Sequence, residues 1–192
     1  MKLTEGYGRT LNGVCRLKAP FDTVLFLLDA LHEDGLSPQD KIRLCYRLLF
    51  GRRVRSMAKA EQMVNDAFDA LMGPQKAGNG GPQVIDFEQD ADLIRSAFKQ
   101  QYGIDLERER GRMSWDEFME KLSAITNATA LGRVIEIRSA KVPAATKDNR
   151  QQREALLRAK AAVAIKPKAK GRDRMNDMWN EIAEMLIKQA KG

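Results

Sequence analysis

The chain has 192 residues, 43% hydrophobic and 6% aromatic, enough to bury a core in one domain or one and a half. No apolar run approaches the ~18 residues of a membrane-spanning helix, and no secretory leader is visible, so the expectation is a cytosolic protein that engages no membrane. The net charge of +7 is uneven: from Arg138 onward 14 Lys/Arg stand against 6 Asp/Glu, leaving 19 against 20 in the first 137 residues, which reads as a neutral body with a basic tail.

The first local signal is Leu11-Asn12-Gly13-Val14. Asn-Gly favours positive φ at both central positions of a type I′ turn, so Tyr7 to Leu11 and Val14 to Lys18 are expected to pair as a hairpin. Cys15 and Cys45 have no framework spacing and read as reduced small hydrophobes.

Phe21 to His32 follows as a short, very apolar helix. Phe21, Val24, Leu25, Leu28 and Leu31 make one face, and Phe26 and Leu27 add a second. That breadth has two readings: a central helix enclosed by the fold, or an apolar surface for a partner at Val24, Leu25, Phe26, Leu27 and Leu28. His32, the single histidine, reads as a surface imidazole near a helix C-terminus.

Ser37-Pro38-Gln39-Asp40 predicts the next helix start, with Ser37 as cap, Pro38 at the first helical position and Gly51 as the stop. Arg52, Arg53 and Arg55 form a small basic knot after it, read as favourable charge near the helix C-terminus in preference to a phosphate site. Met57 to Met72 is a third helix, with Met57, Ala60, Val64, Ala67 and Leu71 in register. The stretch Gly73 to Gln83, GPQKAGNGGPQ, has four glycines and two prolines and predicts a mobile loop.

Ile85 to Leu106 carries the most complete helix signal. Phe87, Ala91, Ile94, Phe98 and Tyr102 recur at helical spacing; Asp86 is the expected N-cap with Gln89 as its capping-box partner, and Gly103 the expected stop. Ser114-Trp115-Asp116-Glu117 is a second capping box, followed by Phe118, Met119, Leu122 and Ile125 on one face. Leu131, Val134 and Ile135 form another amphipathic segment, ended by Val142-Pro143. Lys147 to Ile165 is helical by composition, with a weak stripe of Leu156, Leu157, Ala161 and Val163. After a basic break, Met175, Met178, Trp179, Ile182 and Leu186 line a tethered amphipathic helix suited to docking.

The fold class expected is therefore mainly α: a small helical domain with a short N-terminal β-hairpin and a tethered C-terminal helix. Residues 1–143 form the core, with a flexible loop at 73–84; 144–170 are a basic helix and linker; 171–192 are the C-terminal helix.

The sequence presents no catalytic constellation, no cofactor loop and no zinc spacing. Asp86, Glu88, Asp90 and Asp92 imitate the start of a calcium loop, but Ala91 stands where the turn glycine belongs and Ala97 where the bidentate Glu belongs. No enzyme activity, metal or cofactor is expected. The basic tail from Arg138 to Lys170 can neutralise phosphates, yet it lacks interleaved aromatics or a reading motif.

Several stretches together resemble a family of tailed-bacteriophage proteins encoded between the major tail protein and the tape-measure protein. They are Asn12-Gly13-Val14 leading into Phe21-Asp22-Thr23-Val24-Leu25; Leu36-Ser37-Pro38-Gln39-Asp40-Lys41 with Leu48-Leu49-Phe50; Phe87-Glu88-Gln89-Asp90-Ala91-Asp92 with Phe98 and Gln101-Tyr102-Gly103-Ile104-Asp105-Leu106; and Met113-Ser114-Trp115-Asp116-Glu117-Phe118 with Val134 to Pro143. The likeness runs from about Leu11 to Ile165; the 73–83 loop and the helix after Gly171 depart from the pattern. The resemblance implies a tail-assembly chaperone that binds the tape-measure protein, helps the major tail protein polymerise in the host cytoplasm, and is absent from the mature virion. Nucleic-acid binding through the tail and a stable virion component are the alternatives, and the apolar helices predict self-association.

Overall fold

A computed structural model describes residues 10–11, 15–17, 19–31, 35–72, 84–146 and 148–166. The Asn12-Gly13 turn, His32, the 73–83 loop and the segment 167–192 lie outside the described residues. Thr10–Leu11 (β1) and Cys15–Arg16 (β2) pair antiparallel, with Leu11 opposite Cys15. The rest is helical: α1 Phe21–Leu31, α2 Pro38–Phe50, α3 Met57–Met72, α4 Ala91–Tyr102, α5 Trp115–Ser123, α6 Ala130–Ser139 and α7 Arg150–Ala162.

The described residues gather into two compact units. The first holds the residues up to 72 together with 110–119. Ser37 caps α2 by accepting from the Asp40 N–H at 3.2 Å, while its own hydroxyl donates to the Asp40 carboxylate at 2.6 Å. Gly51 stops the helix in the left-handed region, at φ 66°, donating to the Arg47 carbonyl. Both signals match the expected boundaries. α2 packs against α1 and α3, burying Cys45, Leu49 and Phe50 with Ala60, Val64, Ala67, Phe68 and Leu71.

The start of α5 joins this unit through backbone and rings. Phe21 N–H donates to the Met113 carbonyl at 3.0 Å and Trp115 N–H to the Ala19 carbonyl at 2.9 Å, an antiparallel bridge centred on Pro20 and Ser114. Phe21 stacks on Phe118 at 4.9 Å, and Trp115 on Phe118 at 5.7 Å. Offset stacking of this kind adds about 1 kcal/mol to the area buried.

The second unit holds 84–109 and 120–166. α4 and α6 pack together, burying Ile94, Ala97, Phe98 and Leu131. Gly103 ends α4 at φ 68°, as expected. Thr129 caps α6 by accepting from the Gly132 N–H at 3.0 Å, and its hydroxyl donates to the Thr126 carbonyl. Only glycine fits at 132, because a Cβ there would lie 2.0 Å from the Thr126 carbonyl oxygen. Gln101 ties α4 to the stretch after α5, donating to the Ala124 carbonyl and accepting from the Thr126 N–H, both at 2.9 Å.

Two local expectations need correction. Asp86 does not cap α4: its carboxylate accepts from Glu88 and Gln89 N–H in a turn ahead of the helix, which begins only at Ala91. Gln89 does not complete a capping box either, because its amide is drawn to residues 164 and 166, far along the chain. The second is α7, shorter than Lys147 to Ile165, with no fully buried residue; Leu157 of its expected stripe is exposed.

Candidate interaction surface

The residues expected to grip a partner divide by exposure. Val24 and Leu27 are fully enclosed and Leu28 nearly so, because α1 is flanked by α2 and by the Phe118 ring. Leu25 is half-buried. Phe26 alone is turned outward, with 55% of its surface exposed. The apolar surplus inferred from the breadth of α1 is thus largely consumed inside the first unit, and a partner reaches Phe26 and part of Leu25 without opening the fold. Met175, Met178, Trp179, Ile182 and Leu186 lie outside the described residues. Beyond Phe26, the large apolar side chains left exposed among the described residues are Leu36, Met119 and Leu157.

The second unit is held by a group that sequence reasoning missed. Arg138, on α6, is buried and donates to both oxygens of the buried Asp90 carboxylate, at 2.5 and 3.0 Å. The same guanidinium donates to the Val84 carbonyl at 3.0 Å and the Val163 carbonyl at 2.6 Å. Lys160 then donates to the Arg138 carbonyl at 2.6 Å. One side chain therefore fixes the residue leaving the Gly/Pro stretch, the turn before α4 and the residue after α7. A signal was present: Arg138 lies seven residues after Leu131, so the helical repeat places it on the inward face.

No group of three His, Cys, Asp or Glu among the described residues is placed to hold a metal ion. Cys45 is pushed up to about 12 by burial, which leaves its thiol protonated and inert at neutral pH. Burial, with the neighbouring Asp66 charge second, raises the Asp69 carboxyl above its ordinary value. Among the described residues no helix is long and apolar enough to cross a membrane.

Comparison with known families gives one decisive result: residues 11–165 match the family described as Bacteriophage Gp15 protein. The chain belongs to that family. No curated protein and no solved structure matches it. The Gp15 match runs from Leu11, in β1, to Ile165, just beyond α7, and takes in helices α1 to α7. It makes this a bacteriophage protein and takes in Phe26 and the Arg138 cluster alike. The segment beyond residue 165, with Met175 to Leu186, lies outside the Gp15 match.

Proposed function

We propose that this Gp15-family chain is a non-enzymatic tail-assembly chaperone that binds the phage tape-measure protein and assists polymerisation of the major tail protein around it. Membership of a bacteriophage family over residues 11–165 carries the reading, together with the likeness of the Phe87-to-Leu106 stretch to proteins encoded between those two tail genes. Exposed Phe26, Leu36 and Met119 on the first unit supply apolar contact points, and Leu and Met side chains repack readily around varied partners. The chaperone acts in the host cytoplasm during infection and leaves before the virion matures.

Co-expression with the tape-measure protein tests this. The expected result is a rise in soluble tape-measure protein and a complex that co-purifies. Failure of both at low and high salt overturns the reading. Stoichiometric presence of the chain in purified virions, by mass spectrometry, replaces it with a structural tail component.

A further inference from the structure

The near-neutral charge of the first 137 residues conceals one stretch of a single sign. Between Asp40 and Glu61 there are seven Lys/Arg and no acidic residue. Two are engaged locally: Lys41 donates to the Leu31 carbonyl at 2.6 Å, and Arg43 pairs with Asp40 at 3.0 Å. The other five, Arg47, Arg52, Arg53, Arg55 and Lys59, are exposed and have no ion-pair partner among the described residues.

Helix electrostatics accounts for only part of this. Arg47, in the last turn of α2, complements the negative end of that helix. Arg55 precedes α3 and Lys59 lies in its first turn, which contains no acidic residue. Cations there oppose the positive end of α3, so local helix stability does not explain them. The charge faces outward at a cost to the helix that carries it.

The patch has mixed character. Val54 and Met57 are half-buried among the arginines, so apolar surface and guanidinium groups alternate along the α2–α3 junction. Arg and Met are enriched in protein interfaces. The nearby rings, Tyr46 and Phe50, lie 5.0 Å apart with a 44° tilt; Phe50 is buried and Tyr46 half-buried, so neither offers a fully exposed face for stacking bases. We propose that the stretch from Arg47 to Lys59 is a docking surface for an acidic amphipathic segment of another polypeptide. Carboxylates on such a helix recur at three- and four-residue spacing and meet the arginine forks in pairs, while its apolar face covers Val54 and Met57. This inference does not rest on the tape-measure reading, because charge and amphipathicity define the partner.

The test uses the full chain and a labelled amphipathic peptide of Glu, Leu and Ala, about 20 residues long, with binding read by fluorescence anisotropy at about 50 and about 300 mM salt. A quadruple variant, Arg47→Gln, Arg52→Gln, Arg53→Gln and Arg55→Gln, removes the charge at exposed positions, and circular dichroism checks that it folds. A second variant, Lys166→Gln, Lys168→Gln and Lys170→Gln, controls for the basic tail. Binding at low salt is expected, weakened about tenfold or more by the higher salt and by the quadruple variant, and retained in the tail variant. No binding at low salt, equal binding by the quadruple variant, or loss only in the tail variant overturns the proposal. So does a DNA duplex that binds through the same four arginines more tightly than the peptide.

Discussion

Arg138 and Asp90, 48 residues apart in the chain, meet as a buried, two-point ion pair. Their geometry satisfies both carboxylate oxygens, and the Val84 and Val163 carbonyls accept from two more of the guanidinium's five N–H groups. A buried pair gains little over an apolar replacement, yet losing one member leaves an uncompensated charge. Arg138→Met should therefore cost about 3–5 kcal/mol of unfolding free energy, and Asp90→Leu a comparable amount. The double variant Arg138→Met with Asp90→Leu should recover much of the loss. Urea unfolding of the three proteins measures it; additive single losses would show that the pair is not the coupled unit described.

Phe26 and Leu27 are neighbours with opposite fates. Phe26→Ser should change stability by less than about 0.5 kcal/mol, being a surface substitution, while Leu27→Ala should cost about 2–5 kcal/mol by leaving a cavity. On the chaperone reading, Phe26→Ser should also lower the yield of soluble tape-measure protein on co-expression. A stable Phe26→Ser chain that solubilises as well as the parent would remove Phe26 from the contact surface.

Gly132 and Gly35 make a matched contrast. Alanine at 132 places a methyl 2.0 Å from a backbone oxygen, whereas at 35 nothing lies within 4 Å. Gly132→Ala should destabilise by at least about 1–3 kcal/mol, as overpacking does, with Gly35→Ala within about 0.5 kcal/mol of the parent. Thermal melts of both variants decide it.

Cys45 carries a pH dependence of definite sign. Burial lifts its thiol from 9.0 to about 12, so the unfolded chain releases that proton at lower pH than the folded one. Its contribution is fully present below pH 9 and falls away as pH rises from 9 towards about 12. In a Cys15→Ser background, the chain should lose more stability between these limits than the same chain with Cys45→Ala. Thiol reagents at neutral pH should label Cys45 only at the rate of opening; rapid labelling of the folded protein would contradict its burial.

What the sequence determined by itself was local. Ser37 with Asp40, Gly51 and Gly103 act within a few residues of the backbone groups they satisfy, and helical phase follows from spacing alone. That is why the boundaries of α2 and α3 and the end of α4 were legible. The breadth of α1 was legible as well, but not its use: whether Val24, Leu27 and Leu28 face a partner or the interior depends on α2 and Phe118, placed by other parts of the chain. Asp86 and Gln89 had the right spacing for a capping box, yet residues 164 and 166 compete for Gln89, and Arg138 holds Asp90, the residue just before α4 begins at Ala91. The basic stretch at 41–60 was countable in the sequence but averaged away over 137 residues; its availability is a property of exposure. Backbone satisfaction is a short-range matter, whereas enclosure and charge pairing depend on which distant segments the fold brings within a few ångströms.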